Sequence, residues 1–151
     1  MKPTIEVLLV DDNPGDTELT SELLRQNNRR VHIEFVGDGV EAMAFLRREG
    51  RYSGVLRPQL VMLDLNMPRK NGWDVLHDIK SDRELKTITV MVFTASTATH
   101  DIVRSLKLGA NSYASKPQNL AAYTATISAI GKFWCDVACM VGQEIVRQEE
   151  L

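Results

Sequence analysis

Cysteine is scarce in this chain. There are two, Cys135 and Cys139, in 151 residues. Four apart on a helical pattern, they share a face but sit one turn from each other, a geometry unsuited to an intrachain bridge. They read as reduced thiols packed as small hydrophobes. Histidine is also sparse. His32, His77 and His100 are scattered, and with the two cysteines they make no zinc-binding spacing. No apolar run has the length that spans a bilayer. Met1-Lys2-Pro3-Thr4 opens without the regions of a signal peptide and leads straight into a strand pattern. Charge of one sign is missing too: the net charge of −2 leaves no global field to draw the chain to nucleic acid or to a membrane surface. Arg29-Arg30 and Arg47-Arg48 read as solvated helix ends. Together these absences argue against a disulfide scaffold, a zinc domain, a membrane span and a basic nucleic-acid binder, and the expected location is the cytoplasm.

What remains is ordinary globular composition, 44% hydrophobic and 25% charged. The length suits one domain with a single substantial core. Strand and helix patterns alternate without internal repeats, which predicts βαβ units and a parallel sheet. Strands are expected at roughly Ile5 to Val10, Val31 to Val36, the stretch Leu60 to Pro68 (whose apolar run ends on Asp64 and turns at Asn66 and Pro68), Thr89 to Phe93 ending on Thr94, and Ser112 to Ser115. His32 and Glu34 alternate outward, as on an edge strand. Between the strands, Leu19, Leu23 and Leu24, then Val40, Met43 and Leu46, then Val75, Leu76 and Ile79, then Ile102, Val103 and Leu106 each form an apolar helix face. Asp16 and Asp38 are candidate helix caps. The connector from Gly50 to Pro58 is long for its place and reads either as a tolerated surface insertion or as a partner contact. From Leu120 onward, Tyr123, Ile127, Ile130, Trp134, Val141 and Ile145 keep helical spacing, with Phe133, Val137 and Met140 on a second stripe. A helix apolar on two sides that overruns its domain either meets a partner or folds back as core cover.

With strand one central, this pattern gives a flavodoxin-like, doubly wound α/β sheet in the order 2-1-3-4-5 with an extended C-terminal helix. Ligands of such sheets bind at the carboxyl ends of the strands, at the switch point between strands one and three. There the apolar run Val7-Leu8-Leu9-Val10 ends on Asp11 and Asp12, and Leu60-Val61-Met62-Leu63 ends on Asp64. Three carboxylates at close quarters repel one another, and a dication removes that penalty. Mg²⁺ takes oxygen ligands from a few carboxylates and completes its shell with waters and phosphate oxygens. A transferring phosphoryl group needs its charge neutralised. Lys116, after strand five, supplies an ammonium, and Thr94, ending strand four, a hydroxyl donor. No cysteine or histidine stands at a strand end, so Asp64 is the candidate nucleophile for an aspartyl-phosphate. Each residue alone has a bland reading as cap, turn or surface group. Their conjunction, each just after an apolar run, carries the argument.

Val10-Asp11-Asp12-Asn13, Leu63-Asp64-Leu65-Asn66-Met67-Pro68, Thr94-Ala95 and Ser115-Lys116-Pro117 in this order resemble the receiver domain of two-component response regulators. Asp38-Gly39-Val40-Glu41-Ala42 and Gly109-Ala110-Asn111-Ser112-Tyr113 fit the same pattern. The resemblance implies that Asp64 is the phosphoacceptor, charged by a sensor histidine kinase or a phosphotransfer protein. It implies that Asp12 binds Mg²⁺ directly, Asp11 partly through water, and that the Asn66 backbone carbonyl completes the protein ligands. Thr94 and Lys116 would contact the phosphoryl oxygens. Tyr113 would turn inward when Thr94 moves. The resemblance allows a cis Lys116–Pro117 bond, which would aim the lysine.

The receiver is expected over residues 1–134, with 135–151 as a helical extension. Too little chain follows Lys116 for a DNA-binding domain, so output is expected through partner binding or dimerisation. The insertion ending Arg57-Pro58 and the pair Phe133-Trp134 resemble stand-alone receivers that accompany bacterial phytochromes. That implies a red-light-sensing kinase as phosphodonor and a homodimer through the C-terminal helix, with Phe133 and Trp134 at the contact. The competing class is a Mg²⁺-dependent phosphohydrolase or mutase with an Asp nucleophile. It wants a second carboxylate at the position of Asn66. A receiver that had lost its chemistry would lack an acid, the Thr or the Lys, and none is lacking.

Overall fold

The computed structural model describes residues 4–27, 30–138 and 140–141. Five parallel strands, β1 (Ile5–Val10), β2 (Val31–Val36), β3 (Leu60–Leu63), β4 (Thr89–Thr94) and β5 (Ser112–Ser115), form one sheet in the order β2-β1-β3-β4-β5. The helices are α1 (Pro14–Asn27), α2 (Gly39–Leu46), α3 (Gly72–Ser81), α4 (Thr99–Lys107) and α5 (Leu120–Gly131). The predicted order therefore stands, with β1 between β2 and β3.

The strand period of two divides the core. Leu8 and Val10 point to the face covered by α2 and α3, where they meet Met43, Leu46, Leu76 and Ile79. Ile5, Val7 and Leu9 point to the opposite face, against Leu24, Tyr123 and Ile127 of α1 and α5. β3 and β4 are buried along their whole length, as strands covered on both faces should be. Each fully buried Leu or Val there contributes about 1.5–3 kcal/mol from leaving water. At the edge, β2 exposes His32 and Glu34 as predicted, but also Phe35.

Four local expectations change. Asn13, not Asp16, caps α1: its Oδ1 accepts the Asp16 amide at 3.1 Å and its carbonyl accepts the Thr17 amide. Pro14 is suited to the first helical position, so the cap falls one residue before it. In α4 only Ser105 is buried, and Val103 and Leu106 face outward, because the helix rests on the sheet edge by its small side. The Gly50–Pro58 insertion is docked: Gly50–Tyr52 form a 3₁₀ turn, Tyr52 and Val55 pack on the core, and Arg57 donates to the Leu46 carbonyl and pairs with Glu84. The described backbone has no cis peptide bond, so Lys116–Pro117 is trans.

After α5 the chain continues as a π-helical turn, Lys132–Val137, and Ala138 is extended. Cys135 and Met140 both enter the α1/α5 core. Burial pushes the Cys135 thiol up to about 11, so it is un-ionised packing at neutral pH. Trp134 leans on the same core and stacks edge-on with Phe133, ring centroids 4.8 Å apart. Phe133, Val137 and Val141 face outward. Cys139, Ile145 and most of the expected extension lie outside the described residues. No helix among the described residues is long and apolar enough to cross a membrane.

Candidate functional site

The ladder between β1 and β3 brings the acids together. The Asp64 amide donates to the Val10 carbonyl at 2.9 Å, so the two strands end side by side. One carboxylate oxygen from each of Asp11, Asp12 and Asp64 lies within 4.8 Å of the others. Asp12 is exposed, Asp11 half-buried and Asp64 buried. Asp64 Oδ1 accepts the Thr94 hydroxyl at 2.7 Å and the Leu65 amide at 2.7 Å. Thr94 is fully buried, and that hydroxyl has no water to turn to.

Lys116 enters from the far side of the sheet. Its amide donates to the Thr94 carbonyl at 2.7 Å, which sets the side chain over the strand ends. The ammonium then donates to Asp11 Oδ2 at 2.6 Å, Asp16 Oδ2 at 3.0 Å and Asp64 Oδ2 at 3.2 Å. The trans Lys116–Pro117 bond thus suffices to aim it. Burial works against the charge of Lys116, but the hydrogen bond to Asp11, the charges of Asp64 and Asp11, and the hydrogen bond to Asp16 outweigh it, and its pKa is raised. The lysine stays an ammonium. Burial raises the pKa of Asp11, opposed by its hydrogen bonds to Lys116 and the Asn13 amide, with the charge of Asp64 a small addition. Mutual repulsion of the acids is therefore the lesser cause. The lysine already screens them.

One close glycine contact and one helix cap fix the floor. α3 starts with its backbone against the end of β3: the Gly72 amide donates to the Leu65 carbonyl at 2.9 Å. Asn71 caps α3 through the Asp74 amide at 2.9 Å. Asn66 supplies no acid, and its amide stands 3.5 Å from Asp64 Oδ1. On the β4–β5 side, Tyr113 is half-buried and its hydroxyl donates to the Ser96 carbonyl at 2.9 Å, as does Ser115 at the same distance. Ser96 itself donates to Asp101 at 2.6 Å.

The structure thus gathers Asp11, Asp12, Asp64, Thr94 and Lys116 at one point, with Tyr113 two strands away and Phe133 and Trp134 remote from it. It adds Asp16, a helix-cap candidate by sequence. Nothing in the sequence links Asp16 to Lys116, which lie 100 residues apart. Three carboxylates, Asp11, Asp16 and Asp64, accept from one ammonium, and Asp12 stands beside Asp11 and Asp64. That excess of hard oxygen donors fits a divalent cation, and the free electron pairs of Asp64 fit a nucleophile.

The family profile of the response regulator receiver domain matches residues 7–128. The response regulator Rcp1 of Synechocystis sp. is 36% identical over 138 residues, covering 91% of this chain and 94% of that one. The Mn²⁺-bound form of Rcp1 superposes with a TM-score of 0.86 over 90% of this chain and 98% of its own. The phosphorylated cyanobacterial phytochrome response regulator RcpA is 40% identical, with a TM-score of 0.88 over 92% of this chain and 99% of its own. The bacteriophytochrome response regulator RtBRR is 31% identical, with a TM-score of 0.71 over 97% of this chain and 90% of its own.

Proposed function

The chain belongs to the family of response regulator receiver domains, and from that premise we propose that it is a phytochrome-type receiver that takes a phosphoryl group from a sensor histidine kinase, or from a phosphotransfer protein, onto Asp64. The observation that carries this reading is the convergence of Asp64 with Thr94, Lys116 and two further acids at the β1/β3 switch point. The Asp64 carboxylate attacks the donor phosphorus, a P–O bond forms and the P–N bond to the donor imidazole breaks, and the leaving imidazole keeps the electron pair and takes up a proton. Lys116 and the Thr94 hydroxyl neutralise charge on the phosphoryl oxygens. Mg²⁺, held by Asp11, Asp12, Asp64 and the Asn66 backbone carbonyl, supplies further charge neutralisation when bound. The open groove along Asp16, Leu19, Lys116, Pro117 and Tyr123 offers the donor a path to the acid.

Readout follows from packing. A phosphoryl group on Asp64 draws the Thr94 hydroxyl off its present acceptor, and the space behind it admits the Tyr113 ring, which leaves the Ser96 carbonyl. The receiver proper is taken to end at Trp134. Residues 135–151 are assigned to an extension, and of its described residues Cys135 and Met140 enter the core. Phe133 and Trp134 are the contact of a homodimer; Phe133 is exposed, with Val137 exposed and apolar beside it, and Trp134 is partly buried against the core. The protein works in the cytoplasm with its kinase, binds no nucleic acid or membrane directly, and turns over no independent substrate.

Incubation with acetyl phosphate and Mg²⁺ tests the reading. The expected product is an acid-stable, base-labile mass increment of one phosphoryl group, mapped to Asp64. An adduct on Asp11 or Asp12 would refute the assignment, and steady turnover of an added phosphoester would favour the hydrolase. For the dimer, Phe133→Glu should convert a species of twice the chain mass into monomer by light scattering. A wild-type protein that is already monomeric sinks that part.

A further inference from the structure

Lys116 and a divalent cation want the same oxygens. In the structure the ammonium spends its three donors on Asp11, Asp16 and Asp64. Two of those, Asp11 and Asp64, belong to the three-acid cluster suited to a cation. Asp16 does not. It stands on the first turn of α1, is about a third exposed, and its Oδ2 faces Lys116 from outside the cluster. Its amide is held by the Asn13 side chain, so the cap that starts α1 also sets the place of Asp16. A second cation cannot enter the cluster at full strength while the ammonium sits between Asp11 and Asp64, because like charges a few ångströms apart repel. The lysine must swing aside and still find an acceptor, since it is largely buried and its side chain is 8% exposed.

We propose that Asp16 is a positioning residue that receives the Lys116 ammonium when a divalent cation occupies the acid cluster, and so sets how tightly that cation binds. The inference rests on the divalent-cation reading of Asp11, Asp12 and Asp64. With Asp16 neutralised, Lys116 has only the two carboxylates that the cation needs, and it competes for them. The effect runs through the lysine, and it is not simply the loss of one negative charge near the metal.

That difference makes it testable by a double-mutant cycle read by calorimetric Mg²⁺ titration. Asp16→Asn is expected to weaken Mg²⁺ binding about fivefold, the scale of one partly exposed charge-assisted contact. Asp16→Glu, which keeps the acceptor, should restore affinity to within about twofold. In a Lys116→Met background, Asp16→Asn should change the affinity little, because no ammonium is left to park. An equal fivefold loss in both backgrounds would overturn the proposal and assign Asp16 a plain field effect. No loss in either would make its contact with Lys116 a helix anchor only. If the wild-type chain binds no Mg²⁺ at all, the cation reading itself fails and this inference with it. Circular dichroism spectra of the variants separate any of these results from misfolding.

Discussion

Asp64→Asn is expected to abolish phosphoryl uptake while the protein keeps its fold. The loss should be on the order of a thousandfold or more, as when any covalent nucleophile is removed. The local structure explains why the damage stays chemical. An amide oxygen in place of Oδ1 still accepts from the Thr94 hydroxyl and the Leu65 amide, the two bonds that hold this side chain at 2.7 Å each. The amide nitrogen falls where Oδ2 now meets Lys116 at 3.2 Å, so one ion pair is lost and two donors face each other. Against that, the three-acid cluster of Asp11, Asp12 and Asp64 loses one charge, which relieves repulsion. The two effects oppose, and the change in stability should stay within about 1 kcal/mol. Intact mass after incubation with acetyl phosphate and Mg²⁺ should find no base-labile adduct, and a thermal melt should find a midpoint near that of the parent. Retained uptake in Asp64→Asn would move the phosphoacceptor elsewhere. A collapsed melt would mean that Asp64 is a structural ion-pair partner first.

The largest structural effect is expected at a residue with no chemistry of its own. A Cβ built on Gly72 would overlap the Asp64 carbonyl oxygen and stand 2.7 Å from Leu65 Cα. Both obstacles are backbone of the strand end that carries the acid, so no side chain can swing away to make room. α3 must lift from β3, or β3 must shift and take Asp64 with it. Gly72→Ala should therefore cost about 3 kcal/mol, the upper range for overpacking a tight site, read as a lowered urea midpoint. Phosphoryl uptake should fall as well, because the carboxylate is displaced from Thr94 and Lys116. Gly54→Ala is the control: nothing lies within 4 Å of its added Cβ, and it should be close to neutral. If Gly72→Ala were equally mild, the close approach of α3 to the acid would not be a constraint on the site.

Much of this was legible from residue order. The apolar runs gave the strands, because a parallel sheet buried on both faces demands near-continuous hydrophobic sequence. β1, β2, β4 and β5 lie where their composition put them, β3 stops at Leu63 within the longer stretch to Pro68, and the acids stand where the apolar runs stop. Asn13 was the harder case. Asp and Asn are equally good caps, and only the helix starting at Pro14 decides between Asn13 and Asp16. The outward turn of Val103 and Leu106 was also beyond sequence, since an apolar face says that something covers it, not what.

The sequence by itself determined the chemical inventory: three acids, a hydroxyl and an ammonium, each at the end of a strand, and no second carboxylate at Asn66. Those are consequences of local periodicity and residue type, which act over a few neighbours. Only the tertiary structure decided who holds whom. Lys116 reaches Asp11, Asp16 and Asp64 across separations of 105, 100 and 52 residues, and pairings of that kind are set by how strands order in the sheet and helices stack upon it. It also decided that Gly72 lies against the backbone of Asp64. Close packing of the interior fixes such distances, and no one-dimensional pattern records them.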